Sequence, residues 1–165
     1  MIYIGLGNPG SKYEKNRHNL GAIVVEQLAQ TKGSFSKQHN ALIFETKEII
    51  YALPQTFMNL SGDSVQKILQ YFKKEPKELV VFHDETELLP TDVKYKWSGG
   101  HKGHNGLRDI FEKIHTAEFH RIRLGVGRPD NREQLADYVL SNLQKNEYPD
   151  LETIKNLLKH EIWKN

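Results

Sequence analysis

Cysteine is absent from this 165-residue chain, and so are long apolar segments. Without thiols the chain can form no disulfide, thiolate metal site or cysteine nucleophile, as is typical of proteins in a reducing compartment. No apolar run approaches the ~18 residues that a membrane span needs. The first residues, MIYIGLGNPG, have no basic region before their short apolar run, so we expect no signal peptide. These absences predict a soluble, cytoplasmic protein.

The net charge is also small, because 23 lysines and arginines stand against 21 acidic residues. The distribution is less even, since the segment 94–128 holds eight basic residues and three acidic ones. A basic surface suits a phosphate-rich partner. A charged segment taken alone, however, more often forms a solvated face.

The apolar pattern predicts alternating strands and helices in one domain that covers residues 1–165. Strands are predicted at residues 1–4, 41–46, 49–53, 79–82, 93–97 and 121–126, and helices near 20–28, 65–72, 107–114, 135–143 and 151–163. Gly33 is a predicted stop for the first helix, and Ser61 or Asp63 a predicted cap for the second. This order favours an α/β fold whose mixed, twisted sheet is flanked by helices on both faces.

Five short polar runs stand at the ends of the apolar segments. They are GLGNPG (5–10), NRHN (16–19), TFMNLSG (56–62), HDE (83–85) and GGHKGHNG (99–106). An apolar strand that ends in a polar loop presents side chains from a rigid base, which is where α/β proteins keep their chemistry. In a chain without cysteine, we expect acid–base and hydrogen-bonding chemistry on a water molecule.

His18 is the candidate general base among these runs. An imidazole changes charge near neutral pH, so it can take a proton from water and return it. It needs an acceptor behind it to fix its tautomer, and a carboxylate serves well. Asp84 directly follows a predicted central strand, so we expect it to meet His18 at one edge of the sheet.

The sequence also contains partial features of a dinucleotide-binding loop and of a metal site. Residues 5–10 have the glycines of a dinucleotide loop, but Pro9 and Gly10 turn the chain before any helix begins. His101 and His104, with Asp84, are candidate metal ligands, but the histidines lie in a glycine loop without the i, i+4 spacing of a helical metal site. We therefore expect no nucleotide cofactor and no metal.

Two asparagines near predicted helix starts, Asn59 and Asn105, have two possible roles. Asparagine is common as a helix cap or turn residue. Alternatively, the two amides grip a planar polar group, with Phe57 and Met58 as an apolar wall or as part of the core. Composition leaves both interpretations open.

Taken together, the runs resemble the bacterial-type peptidyl-tRNA hydrolase family. The resemblance is carried by GLGNPG with Tyr13 after it, and by NRHNLG, PQTFMNLSG, HDETEL, VKYKWSGGHKGHNGL and FHRIRLGVGRP, in the family's order from residue 1 to about residue 129. It implies a single α/β globule that cleaves the ester between a peptide and the 3′-terminal adenosine of tRNA. It also implies that the chain stops about one helix earlier than most relatives.

The resemblance further implies roles for individual residues. His18 would accept the proton, Asp84 would stabilise the basic, correctly oriented imidazole, and Asn8 would help to distinguish N-blocked from free aminoacyl-tRNA. The residues implied to bind substrate or tRNA are Tyr13, Phe57, Met58, Asn59, His104 and Asn105, with Lys96 and Arg123 as phosphate contacts. The implied partner is peptidyl-tRNA, and we expect a monomer that needs no cofactor, metal or membrane.

The basic segment then predicts a ledge for the acceptor stem. Lys94 and Lys96 share one strand face, and Arg121 and Arg123 share another, so paired strands would join them. Two alternatives remain at this point. One is a metal-dependent hydrolase that uses His101, His104 and Asp84, and the other is an RNA-binding module that uses Lys96, Arg121 and Arg123 without turnover.

Overall fold

Seven strands form one mixed sheet in the computed structural model, which describes residues 1–29 and 35–164. The strands are β1 (Ile2–Gly5), β2 (Ser36–Gln38), β3 (Ala41–Glu45), β4 (Ile50–Pro54), β5 (Leu79–Glu85), β6 (Val93–Trp97) and β7 (His120–Gly125). They lie in the order β2-β3-β4-β1-β5-β7-β6. The pairs β1–β4, β1–β5 and β5–β7 are parallel, and the other three are antiparallel.

Helices cover both faces of this sheet, which confirms the predicted fold class. They are α1 (Leu20–Ala29), α2 (Ser61–Phe72), α3 (Asn105–Ile114), α4 (Leu135–Val139) and α5 (Leu151–Glu161). One buried cluster joins the sheet to α2 and α3, for example through Ile68 and Ile110. The other joins the opposite face to α1 and α5, through Val24 and Ile154. Among the described residues, no helix is both long and apolar enough to cross a bilayer.

The central strand β5 determines where polar side chains can emerge. Its residues from Leu79 to Asp84 are all buried, as a strand covered on both faces requires. Strands β1, β4, β5 and β7 run in the same direction, so their carboxyl ends meet at one edge of the sheet. In α/β proteins this edge is where ligands bind.

A close backbone approach fixes the start of α1 against β5. A Cβ atom added to Gly21 would lie 2.1 Å from the carbonyl oxygen of Phe82, so no side chain fits there. The amide of Leu6 donates to the same Phe82 oxygen at 3.1 Å, and the amide of Ala22 donates to Leu6. The loop after β1, the start of α1 and the end of β5 are therefore held together through main-chain atoms.

Several element boundaries differ from the sequence-based predictions. Strand β5 continues to Glu85 because β7 pairs with its last residues, and α4 is shorter than the predicted helix at 135–143. The short, largely exposed β2 was not predicted. Ser61 is the first residue of α2 and donates to the Met58 carbonyl, so neither it nor Asp63 caps the helix. The predicted stop at Gly33 lies outside the described residues.

Candidate active site

His18 and Asp84 meet at the carboxyl edge of the sheet. His18 lies in a 3₁₀ turn just before α1, and Asp84 lies near the end of β5. The Nδ1 atom of His18 is 2.9 Å from one carboxylate oxygen of Asp84 and 3.0 Å from the other. A carboxylate can only accept in this contact, so Nδ1 carries the proton and Nε2 of His18 holds the free lone pair.

His104 holds the same carboxylate from a second side. Backbone N–H groups of Gly106 and Leu107 donate to its Nδ1 atom, at 3.1 and 3.3 Å, so this imidazole caps the amino terminus of α3. Because Nδ1 accepts, the proton of the neutral ring is on Nε2, which donates to Oδ1 of Asp84 at 2.8 Å. The resemblance implies that His104 binds substrate, and in the structure this residue lines the cavity and also orients the carboxylate.

The electrostatics of the cluster suit a base that works near neutral pH. Burial lowers the pKa of His18, but the charge of Asp84 and its hydrogen bond outweigh burial, so this pKa lies above the ordinary 6.5. Burial raises the pKa of Asp84, and the two histidines reverse this and hold it far below its usual range. The carboxyl group is therefore ionised whenever His18 is able to act.

Neighbouring His83 has a different environment. It is 4 % exposed, and its Nδ1 donates to the carbonyl oxygen of Asp84 at 2.8 Å. Burial, with the charge of nearby His104, lowers the pKa of His83 to about 4. This ring is thus neutral at physiological pH and supports the backbone of β5.

In the part of the chain that the structure describes, the amide oxygen of the Asn8 side chain is hydrogen-bonded and the amide nitrogen is not. Its Oδ1 accepts from the backbone N–H of Met58 at 2.7 Å. Its own backbone N–H and carbonyl are both bonded by the Asn19 side chain, each at 2.9 Å. Within residues 1–29 and 35–164, the Nδ2 donor of Asn8 has no partner, so the loop after β1 presents a fixed hydrogen-bond donor. The clamp by Asn19 was not predicted, although NRHN lies in one of the five polar runs.

A cavity of about 380 Å³ opens beside the histidine–carboxylate cluster. His18, Asp84, His104, Asn105, Lys96 and Arg123 line it, all of them residues singled out from the sequence. Further walls come from α4, through Leu135, Ala136 and Val139. Lys96 and Arg123 give the cavity a cationic side, although Arg123 also donates to Glu85 at 2.9 Å. Burial and the charges of Arg121, Lys102 and Arg123 lower the pKa of Lys96.

Arg121 corrects the predicted basic ledge. Register pairs Lys96 with Arg121 and Lys94 with Arg123, as expected of neighbouring strands. Arg121, however, is 2 % exposed, and its guanidinium donates to the carbonyl oxygens of Gly99 and Gly100 at 2.5 and 2.9 Å. Arg121 borders the cavity, but its guanidinium binds the glycine loop before His104 and does not form an exposed ledge with Lys94 and Lys96.

The remaining predicted binding residues form a second group outside the cavity lining. Met58 is buried, and a Cβ atom on Gly106 would lie 2.6 Å from its Sδ atom, so Met58 separates the Asn8 loop from α3. Tyr13 and Phe57 make an edge-to-face contact with centroids 6.3 Å apart, and Phe57 is 54 % exposed. Asn59 is exposed on the following 3₁₀ turn.

The donor set does not fit a metal in this arrangement. Candidate ligand atoms of His18, Asp84 and His104 lie within 4.8 Å of one another. Both ring nitrogens of His104 are used in hydrogen bonds, and an ion between the three residues would have to replace the bonds that the two histidines donate to Asp84. His101 does not join this group, since its Nδ1 accepts from Gly103 N–H and its ring contacts Phe111. The cluster is built as a hydrogen-bonded chain.

Comparison with known proteins identifies the family. The family model described as peptidyl-tRNA hydrolase matches residues 2–163. The chain belongs to this family. It is 41 % identical over 162 residues to the peptidyl-tRNA hydrolase of Sulfurovum sp., covering 96 % of this chain and 84 % of that protein. It is 43 % identical to the enzyme of Dinoroseobacter shibae, covering 88 % of this chain but only 64 % of the longer relative.

A solved family structure shows the same fold. The crystal structure of peptidyl-tRNA hydrolase from Acinetobacter baumannii aligns with a TM-score of 0.86 at 35 % identity. The alignment covers 98 % of this chain and 89 % of that one. The mixed sheet with helices on both faces is therefore the fold of the family.

Proposed function

We propose that this chain hydrolyses the ester that joins a peptide to the 3′-terminal ribose of tRNA, with His18 as the general base. One observation carries the proposal: Asp84 accepts from Nε2 of His104 on one side and from Nδ1 of His18 on the other, which leaves Nε2 of His18 unprotonated. Family membership supports the choice of substrate.

The reaction follows from this arrangement. His18 takes a proton from water at Nε2 while the water oxygen attacks the ester carbonyl carbon. The resulting oxyanion is stabilised by an amide donor, a role that we assign to Asn105 because it lines the cavity. The bond to the ribose oxygen then breaks, and His18 returns the proton to that oxygen. The products are tRNA with a free hydroxyl and a peptide carboxylic acid, which releases its proton to solvent water, and Asp84 stays ionised throughout.

Asn8 supplies the preference for a blocked amino terminus. Its Oδ1 is occupied by Met58 N–H, so only Nδ2 is offered to the substrate, and it can only donate. A peptide carbonyl accepts such a bond. A free α-ammonium group can only donate, so it forms no hydrogen bond with Nδ2 of Asn8. It also loses its hydration on binding, and nothing compensates for that loss. The fixed amide orientation thus favours peptidyl-tRNA over aminoacyl-tRNA.

The tRNA end is proposed to lie across both groups of residues. Lys96, with Arg123 beside it, offers positive charge to backbone phosphates. The exposed ring of Phe57, packed on Tyr13, offers a face on which an unpaired base can stack. We assign exposed Asn59, two residues after Phe57, as a hydrogen-bonding partner for the same end of the substrate. We propose that the chain acts as a monomer in the cytoplasm without a cofactor, since a base and water suffice for this chemistry.

Paired substrates test the proposal. N-acetyl-aminoacyl-tRNA and its unblocked form are incubated with the protein and with the variants His18→Ala and His160→Ala. We expect rapid release from the blocked substrate only, a loss of about 10²–10⁴-fold in kcat for His18→Ala with binding retained, and no inhibition by EDTA. His160 lies exposed on α5, so His160→Ala is the matched control and should behave as the parent. Full activity of His18→Ala, or tRNA binding without any turnover by the parent, would overturn the proposal.

A further inference from the structure

Arg17, the residue before the proposed base, is buried although it carries a charge. Its side chain is 9 % exposed and is not among the residues that line the cavity. Its Nη2 atom donates to both carboxylate oxygens of Glu147, at 2.9 and 3.2 Å. Its Nη1 atom donates to Ser141 Oγ at 2.6 Å and to the Asn142 carbonyl oxygen at 2.8 Å. Arg17 therefore connects two segments more than 120 residues apart in sequence.

Main-chain contacts extend this connection on both sides of Arg17. The backbone N–H of Arg17 donates to the Ser141 carbonyl oxygen at 3.0 Å, and that of Leu143 donates to Lys15 at 2.9 Å. Asn16 forms an antiparallel bridge with Asn142, and their side chains share a hydrogen bond of 2.9 Å. The three residues before His18, 15–17, are thus all hydrogen-bonded to the segment 141–143.

The segment 141–143 follows closely after α4, which forms part of the cavity wall. Helix α4 ends at Val139, and its Leu135, Ala136 and Val139 line the cavity. The guanidinium of Arg17 lies 4.5 Å from the ring centroid of Tyr138 on the same helix. Helix α4 and the turn that carries His18 therefore share a contact through Arg17.

We propose that Arg17 is a positioning residue: its buried ion pair with Glu147 holds His18 on Asp84 and couples the proposed base to the wall formed by α4. The inference rests on the proposed role of His18. A planar guanidinium is needed because it makes four bonds in two directions at once, which an ammonium group cannot do. Neither Arg17 nor Glu147 lines the cavity, so their effect on the reaction is exerted through the orientation of the imidazole.

The variants Arg17→Lys, Glu147→Gln and their combination test this coupling. We expect each single change to lower kcat by about 10–100-fold, because a small misplacement of a catalytic group has that effect, while KM changes little. The double variant should be no slower than the worse single one, since the two residues act as a unit. An ion pair that only stabilises the fold would leave kcat of the folded protein unchanged.

An NMR measurement separates this inference from the proposed function. The Nδ1 proton of His18, bonded to Asp84, gives a resonance that is observable without substrate. We expect it to shift or broaden in Arg17→Lys. If the parent fails to hydrolyse peptidyl-tRNA, the proposed function is wrong, and this resonance still decides whether Arg17 positions the ring.

Two further variants keep the test decisive. Ser141→Ala removes one bond to Arg17 without stranding a buried charge, so it should fold even if the charge variants do not, and should show a smaller loss of kcat of the same kind. Ile154→Val in α5 is the stability control, because it lies in the core away from the cavity. Variants at Arg17 and Ser141 that lower the melting temperature as Ile154→Val does, with kcat and the His18 resonance unchanged, would overturn the proposal.

Discussion

The imidazoles of His18 and His104 lie 4.9 Å apart between ring centroids and donate to one carboxylate, that of Asp84. The two rings are not equivalent. His104 uses its second nitrogen to cap α3, so both of its ring nitrogens are engaged. Within residues 1–29 and 35–164, Nε2 of His18 has no hydrogen-bond partner. One carboxylate thus holds an imidazole with an open nitrogen and another with none.

The double role of His104 can be separated by mutation. His104→Ala removes both the bond to Asp84 and the cap of α3, whereas His104→Asn keeps an oxygen that can cap. We expect the asparagine variant to be more stable than the alanine variant by about 1 kcal/mol. Both should lose kcat to a similar extent, because neither restores the donor to Asp84. Thermal melts and initial rates measure this, and equal stability of the two variants would contradict the capping role.

The rate should depend on pH through His18. Its pKa is raised above 6.5, so below that raised pKa the ring is protonated, cannot accept a proton, and kcat/KM falls. Asp84→Asn removes the charge that raises this pKa, so the acid limb should move to lower pH. The maximal rate should fall as well, and the equivalent change in a serine protease costs about 10⁴-fold. A limb that stays in place in Asp84→Asn would show that another group controls the profile.

Substrate discrimination should respond to a nearly isosteric change at Asn8. In Asn8→Asp one oxygen can still accept from Met58 N–H, while the outward atom becomes an acceptor instead of a donor. We expect the ratio of kcat/KM for blocked over free aminoacyl-tRNA to fall by at least about tenfold, the effect of one hydrogen bond to a charged group. The experiment compares both substrates with the parent and the variant. An unchanged ratio would mean that another residue senses the amino terminus.

Phosphate contact should appear in the salt dependence of KM. Lys96→Ala removes a cation from the cavity wall without touching the histidine–carboxylate cluster. We expect KM to rise with kcat nearly unchanged, and the slope of log KM against log salt to decrease by about 0.7–0.9. Lys155 pairs with Glu152 on α5, and Lys155→Ala provides the control. Identical slopes for Lys96→Ala and the parent would remove Lys96 from the tRNA contacts.

Sequence patterns predicted the elements of this fold well where burial is periodic. Strand β5 and helix α3 show clear apolar patterns, and the structure has both. Strand β2 was not predicted because it has only three residues and two of them are exposed, so it shows no alternation of apolar and polar residues. The sequence prediction ends β5 too early because His83 and Asp84 are polar, and the partners that accompany the burial of Asp84, namely His18 and His104, lie far from it in sequence.

The same limit applies to the candidate site. Polar runs at strand ends pointed to His18, Asp84 and Asn8, because residue type and position suffice to suggest such chemistry. They could not show that Arg121 is turned inward to bind carbonyl oxygens, since a strand arginine has the same spacing whether it is buried or exposed. Nor could they show that Arg17 reaches Glu147, which requires knowing how the last third of the chain returns to the first.

The contact at Gly21 has a consequence for how this family can vary. His18 precedes that glycine by three residues, and Asp84 follows Phe82 by two, so one main-chain contact sets the spacing between base and carboxylate. This contact is made by main-chain atoms and a glycine, so it does not depend on the side chains that line the cavity. The cavity walls can therefore vary in sequence while His18 stays beside Asp84.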